Sequence, residues 1–342
     1  MSKPISLPPA DRDDWFTRLF GFSERHPDEV RNHFVVEGNH LRSKVNGRTY
    51  QCGTLEIISL ADLRHQTVSL GEFGGELSVD EVVADVKTLH ADPANQNATF
   101  QVASQFNLLE MVHPRVTPEQ GVGIYENDPT QGPACAIACG AGTVFRNYFV
   151  PVGGQIGQSE SEQIDCLESI GIALGNVDNR LWTMRNGYAL PSEQGMQEID
   201  AKLRTLAEPE IDALRSNLMV GIQRRTQVTI GDARHLVSQV YCSAMPVAYS
   251  RLSSHQWERF ARLILDAAYE ATFAAALIQS KESENKTLFL TLLGGGAFGN
   301  DQQWILDAIS RACKLYRSAD LSVRIVSYSK SNPAIRYLVQ SR

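Results

Sequence analysis

Two stretches of the chain carry residue types that could do chemistry together. The first is acidic: Glu110, Glu119, Glu126 and Asp128 fall within residues 108–133, a long run rich in proline and glycine. Carboxylates can activate water and steady a positively charged reaction centre. A connection this long inside a compact domain is usually functional or disordered, and Leu108, Leu109, Met111, Val122, Ile124 and Tyr125 make it too apolar for a disordered linker. The second stretch is Gly294, Gly295, Gly296, Ala297, Phe298, Gly299 and Asn300. Glycine lets backbone N–H groups turn towards a ligand with no Cβ in the way. A helix start adds unpaired N–H groups and a partial positive charge. Together they make an anion cradle, and phosphate is the usual guest.

Other chemistries find little support. The six cysteines are scattered, and Cys135 and Cys139 stand four apart without a matching pair of ligands. A structural zinc site needs about four ligands at close spacing, so no metal is expected. The eight histidines are dispersed, and there is no G-x-S-x-G nucleophile elbow. A nicotinamide-dependent dehydrogenase would want G-x-G-x-x-G early in the chain. Here the glycine loop lies near the C-terminus and does not fit that spacing.

The elements that must position these residues read as α/β. An apolar strand over residues 288–293 precedes the glycine loop, and a helix over 301–316 follows, with Ile305, Ala308, Ile309 and Ala312 on one face. Residues 99–106 read as a strand that delivers Asn107. Pro133 opens a helix of small residues, whose start points back at residues 128–132 and gathers a second set of N–H groups. Further helices are expected over 79–90, where Ser78 and Glu81 suggest a capping box, and over 162–174, 192–216, 255–280 and 333–339. Strands are expected over 218–230, 236–244 and 321–328. Residues 34–58 alternate around Asn46-Gly47, a hairpin signal, and the aromatic knot from Trp15 to Phe22 suits a short docking helix. Strands alternating with helices imply an α/β sandwich around a mixed sheet.

The chain has 342 residues, a formal net charge of -7 and a pI near 5.7, which argues against non-specific nucleic-acid binding. No apolar run approaches the ~20 residues of a membrane span. The N-terminus, polar and proline-bearing, has no apolar signal region. A cytoplasmic location, with no nucleic-acid or membrane partner, is the expectation.

At three motifs the sequence resembles the macrodomain superfamily. GGGAFGN after an apolar strand, with Asp301 opening the next helix, is similar to the phosphate loop of its poly(ADP-ribose) glycohydrolase-like branch. FQVASQFNLLEM resembles the strand-to-loop segment that carries that branch's asparagine. DPTQGPACAIACGAGTVFRNYF resembles a group of macrodomain hydrolases that act on ADP-ribosylated arginine. The resemblance covers roughly residues 98–340. One departure stands out: the glycohydrolase branch carries paired glutamates after its glutamine, whereas Gln131 is followed here by Gly132-Pro133.

The resemblance implies a macrodomain-like three-layer α/β/α sandwich with a mixed central sheet. Residues 1–95 would form an N-terminal extension packed on the core, and residues 96–342 the catalytic domain. It implies hydrolysis of ADP-ribose from modified protein, on arginine side chains, with ubiquitin among the candidate carriers. ADP-ribose would be ligand and product, with no cofactor. Asp128 is expected as the water-activating base or the anchor of the linked guanidinium, with Glu119 and Glu110 as its partners; spacing does not decide between Asp128 and Glu119 as base. Asn107 would orient the distal ribose. Thr130, Gln131 and Gly132 would face Gly294–Asn300 across the diphosphate, Phe298 would pack on ribose or phosphates, and Tyr328 would stack on adenine. Two rival readings are a module that binds ADP-ribose without cleaving it, and a poly(ADP-ribose) glycohydrolase.

Overall fold

The computed structural model describes residues 13–71, 74–283 and 285–341. The first dozen residues of the polar start lie outside the described residues. Numbered in chain order, seven strands build the central sheet in the spatial order β4 (Thr54–Ser59), β11 (Met219–Gln227), β12 (Leu236–Cys242), β6 (Thr99–Ala103), β13 (Thr287–Leu290), β14 (Ser322–Ser327) and β5 (Ser78–Val83). From β12 to β5 all neighbours are parallel; β11 alone runs against its neighbours β4 and β12. β6 is buried along nearly its whole length, as a central parallel strand must be.

Successive side chains leave a strand on opposite faces, and polar contacts mark which face is which. Gln101 and Ser238 meet Thr272 and Gln279 of α10 (Ser254–Ser283) at 3.0 and 3.1 Å. On the other face Phe100 stacks on His90 of α4 (Val86–Ala91), and Gln239 donates to the Cys135 carbonyl of α5 (Gln131–Ala138) at 2.9 Å. The result is three layers. The α10 layer also holds α3 (Leu60–Ser69), α9 (Glu208–Ser216) and α11 (Gln302–Leu315), tied by Arg64 and Arg311 to Asp212 and the buried Glu270. The opposite layer holds α4, α5 and α6 (Gly140–Tyr148).

A second apolar cluster lies outside the sheet. Phe16 and Phe20 of α1 (Trp15–Phe20) and Phe34 of β1 (Phe34–Glu37) pack with Val144 and Tyr148 of α6 and with Val122 and Tyr125. Helix α2 (Pro27–Asn32) and the three-stranded sheet of β1, β2 (His40–Ser43) and β3 (Thr49–Gln51) complete this region. The N-terminal region therefore packs directly on the acidic segment.

Several sequence expectations change. Residues 79–90 are not one helix. Val79, Val82 and Val83 make β5 an edge strand in register with β14, and Glu81 takes hydrogen bonds from Ser327, Ser331 and the Asn332 N–H rather than capping a helix. The cap that starts α4 is Asp85, seven residues after the expected cap Ser78. The expected ribbon over 34–58 gives up its last strand, β4, to the main sheet. Because β4 and β5 are its two edge strands, residues before 95 are part of the central sheet and not only an extension packed on it. The helix over 162–174 shortens to α7 (Glu168–Leu174). The helix over 192–216 breaks at Leu206-Ala207 into α8 (Glu193–Thr205) and α9, with Pro209 in the first turn of the second. Two hairpins, β7 (Pro151–Val152) with β8 (Gln155–Ile156) and β9 (Trp182–Arg185) with β10 (Tyr188–Pro191), and α12 (Pro333–Gln340) finish the chain.

Candidate active site

The site forms where the sheet splits. β6 and β13 pair only at Thr99–Leu288 and Phe100–Phe289 before they diverge. The side-chain amide of Gln131 fills the vacated ladder: it accepts the Ala103 N–H at 2.9 Å and donates to the Gln101 carbonyl at 2.8 Å. This pins the start of α5 into the gap. Gly132 makes the close approach possible, because a Cβ there would lie 1.9 Å from the Ala103 carbonyl oxygen. On the far side, Tyr269 of α10 braces the exit of β13, donating to the Thr291 carbonyl at 2.6 Å and accepting the Leu293 N–H at 2.9 Å.

The split opens into a cleft of about 830 Å³, mouth included, at the carboxyl ends of β12, β6 and β13. That is the usual ligand position in an open α/β sheet. Its walls include Glu110, Asp128, Thr130, Gln131 and Gly132 on one side and Gly294, Gly296, Ala297 and Phe298 on the other. The glycine loop is closed by its own backbone: the N–H groups of Gly295, Gly299 and Asn300 donate to the carbonyls of Leu292, Gly296 and Gly294. The N–H groups of Gly294, Gly296, Ala297 and Phe298 find no acceptor among the described residues, nor do those of Gln131 and Gly132 opposite. Gly294 takes φ +72°, and a Cβ there would sit 2.5 Å from that of Ala244, so this turn requires glycine. At Gly296 a Cβ would meet nothing, so the backbone there faces open cleft.

Glu110 is the unusual group. It is 2% exposed, and neither carboxyl oxygen has a hydrogen-bond partner among the described residues. Burial pushes its carboxyl up to about 8, against the pull of the Arg146 guanidinium 3.7 Å away. Arg146 is itself buried, stacked over Tyr241 with its Cζ 3.7 Å from the ring centroid. It donates to the Leu108 carbonyl and to Thr143. Asp128 is only half-buried, and its Oδ1 accepts the Thr130 N–H at 2.9 Å. The cleft thus offers one buried carboxyl held protonated near neutral pH and a second acidic side chain nearer solvent.

Other expected site residues lie elsewhere. Asn107 is fully buried and does not line the cleft. Its amide donates to Gln163 at 2.8 Å and accepts the Leu109 N–H at 3.1 Å, so it shapes the turn after β6. Glu119 turns towards the 158–164 loop and accepts the Glu160 N–H at 2.7 Å. Asn300 sits under the glycine loop, donating to the Met245 carbonyl at 2.8 Å. Tyr328, 76% exposed, borders an adjoining groove with Gly295, Gly296 and Asn332, beyond the glycine loop. Glu126 pairs with Arg18 on the N-terminal region.

The structure adds residues that sequence reasoning missed. Tyr188 and Tyr249 join the expected Phe298 in a cluster of three rings along one wall, with centroids 5.0 to 5.6 Å apart. Asn186-Gly187, the turn of the β9–β10 hairpin that carries Tyr188, is a hairpin signal legible in the sequence. Nothing local marks Tyr249 or Arg146. Among the described residues no three His, Cys, Asp or Glu side chains gather as metal ligands, and all six cysteines are free and buried.

No family model matches the chain, and no curated protein matches it. Among solved structures it is similar to poly(ADP-ribose) glycohydrolase from Deinococcus radiodurans in complex with ADP-ribose, at 11% identity, covering 84% of this chain and 94% of that one, with a TM-score of 0.44. It is also similar to poly(ADP-ribose) glycohydrolase from Thermomonospora curvata bound to the inhibitor ADP-HPD, at 11% identity over 92% and 96% of the two chains, with a TM-score of 0.43. At these values the likeness assigns neither a substrate nor a residue's role.

Proposed function

We propose that this protein is a hydrolase that cleaves the glycosidic bond joining ADP-ribose to a carrier. The observation that carries the reading is the cleft itself: unpaired backbone N–H groups on two facing loops suit a diphosphate, and two carboxyls, the buried Glu110 and the half-buried Asp128, border the same space. Pairs of carboxyls whose environments push them apart are the usual acid and base of glycosidic cleavage. Asp128, the carboxylate nearer solvent, takes a proton from water as its oxygen attacks the anomeric carbon. The bond to the carrier breaks with its electron pair leaving on the carrier atom. A protein that only binds ADP-ribose would need the two loops and neither carboxyl.

For the carrier, our reading is an arginine side chain. The ring wall of Tyr188, Tyr249 and Phe298 suits the planar cationic group of a linked guanidinium. A guanidine leaves with its electron pair and then takes up a proton. A second reading, cleavage within poly(ADP-ribose), is favoured by Glu110: a protonated carboxyl suits an oxygen leaving group, which needs a proton as it departs. The solved structures reported above are named for that activity. The test is chromatographic measurement of free ADP-ribose after incubation with arginine-ADP-ribosylated protein and, separately, with poly(ADP-ribose). Release from the first alone supports the arginine reading, and release from the second alone supports the polymer reading. No release from either at high enzyme concentration overturns the hydrolase.

A further inference from the structure

The cleft explains Asp128 and Glu110 but not what fixes the loop that carries them. Residues 121–128 have no regular strand or α-helix to hold them; they form a short 3-10 turn over Gly123–Asn127. Their anchor comes from the N-terminal region. One Glu24 carboxyl oxygen accepts the Val122 N–H at 2.9 Å and the other accepts the Gly123 N–H at 2.6 Å. Tyr148 of α6 donates its hydroxyl to the same carboxyl at 2.5 Å. The surrounding glycines are needed for this fit. Gly121 has φ +84°, and a Cβ on it would stand 2.4 Å from a Glu24 oxygen; one on Gly123 would stand 2.4 Å from Asp14 and 2.9 Å from Glu24. The backbone wraps an internal carboxylate as a nest wraps an anion. Trp15 adds two more ties, donating its indole N–H to the Val122 carbonyl and its backbone N–H to Glu126, both at 3.1 Å.

The anchored segment leads directly to both carboxyls. Tyr125 donates its N–H to the Val122 carbonyl, and Asp128 donates its own to the Tyr125 carbonyl, both at 3.1 Å. The Tyr125 hydroxyl accepts the Glu110 N–H at 3.0 Å. We propose that Glu24 is a positioning residue: its carboxylate, supplied from outside the cleft, fixes the 121–128 segment and so sets Asp128 and the Glu110 backbone in working register.

This inference rests on the hydrolase reading for its kinetic consequences, and its structural consequence stands apart from them. The groups facing Glu24 are Asp14 at the start of α1, Tyr148 from α6 and Tyr125 from the turn itself; among the described residues no cation pairs with it. Burial pushes the carboxyl up to about 7 although its three donors favour the ionised form. A proton on either oxygen weakens its acceptance of the donors it faces, so the ionised form holds all three most firmly. Turnover therefore rises with pH through about 7 as the anchor forms.

The experiment compares the full-length wild type with Glu24→Gln, which keeps size but turns an N–H donor towards one of the loop amides. Three readouts are taken: kcat and its pH profile, the Kd for ADP-ribose, and hydrogen exchange of the Val122 and Gly123 amides. The expected result is a tenfold or greater fall in kcat, loss of the rising limb near pH 7, Kd within threefold, and at least tenfold faster exchange at those two amides. Tyr148→Phe, a milder change that removes one donor to the charged form, should move the rising limb to higher pH and serves if Glu24→Gln does not fold. Unchanged exchange at Val122 and Gly123, or kcat within twofold of wild type, overturns the proposal. Exchange is read without turnover, so a wild type that releases no ADP-ribose defeats the hydrolase reading while the anchor is still decided.

Discussion

The carboxyl of Glu110 lies 3.7 Å from the guanidinium of Arg146, with both side chains buried, yet the carboxyl is held well above the ordinary carboxylate range. The desolvation of the pair outweighs its attraction, as buried ion pairs often show. Arg146 donates from Nε to the Leu108 carbonyl and from Nη2 to Thr143, its Nη1 has no partner among the described residues, and the ring of Tyr241 covers its face. Near neutral pH the cleft therefore keeps a protonated acid next to a fixed positive charge. If Glu110 donates a proton in the reaction, kcat/KM falls as pH rises through about 8. Glu110→Gln should remove that limb and lower turnover by about 10²–10⁴-fold, the usual contribution of general acid catalysis. Stability at pH 6 should change little, because glutamine is close in shape to the protonated carboxyl. Steady-state kinetics from pH 6 to 9.5 check this, and a Glu110→Gln variant with wild-type turnover removes Glu110 from the chemistry.

Two glycines that border the cleft should respond in opposite ways. At Gly296 a Cβ meets nothing, so Gly296→Val should leave the melting temperature nearly unchanged while it blocks the approach of a diphosphate. At Gly132 a Cβ lands on the Ala103 carbonyl, so Gly132→Ala should cost about 1–3 kcal/mol of stability as overpacking does. Calorimetric titration with ADP-ribose and thermal melts of both variants separate binding from folding. Micromolar affinity retained by Gly296→Val would remove this loop from ligand binding.

Much of the frame was legible because it rests on local signals. The apolar run before Gly294, the amphipathic helix after Asp301 and the long apolar face of α10 each announce an element by periodicity. The capping-box pattern at Ser78 and Glu81 misled because Glu81 bonds across the sheet to residues about 250 positions away, which no local window contains. The site was legible only in part, for the same reason. Gly132 and Gly296 are alike in sequence, but one is needed for packing against β6 and the other for open space. Asn107 and Asn300 look like ligand residues beside their motifs, whereas their amides are engaged within the fold. Glu119 and Asp128 share one loop, and the course of the chain between them sends only Asp128 to the cleft.

Asp128 can be tested for charge separately from shape. Its Oδ1 accepts the Thr130 N–H at the start of α5, so alanine would remove a turn contact along with the carboxylate. Asp128→Asn keeps an acceptor in that place and removes the charge. If the carboxylate activates water or holds a guanidinium, Asp128→Asn should lose at least 100-fold in kcat/KM, with ADP-ribose affinity within tenfold of wild type because the backbone N–H groups are untouched. Full activity in Asp128→Asn, with activity lost only in Asp128→Ala, would reduce the residue to a turn former.

His90 should give the fold a measurable acid sensitivity. Its ring is fully buried, stacked on Phe100 with centroids 3.8 Å apart, and Nδ1 donates to the Val86 carbonyl at 2.8 Å, leaving Nε2 to accept from Gln239 at 3.1 Å. Burial pushes it down to about 4. The folded value lies below the unfolded one near 6.5, so its contribution is whole above about pH 6.5 and is lost as pH falls towards 4. From that difference the loss is on the order of 3 kcal/mol. Glu24 and Glu110 act in the opposite sense: both are raised by burial, so their ionisation lowers stability as pH rises from about 4.5 to 7 or 8. Wild type and His90→Leu should therefore be compared at each pH, so that the carboxyl contributions cancel. Urea melts should show the difference in unfolding free energy between the two shrinking or reversing from pH 7 to pH 4, as the wild type alone loses the neutral-ring contribution. Parallel curves would mean that His90 takes up its proton as readily in the folded protein as in the unfolded chain.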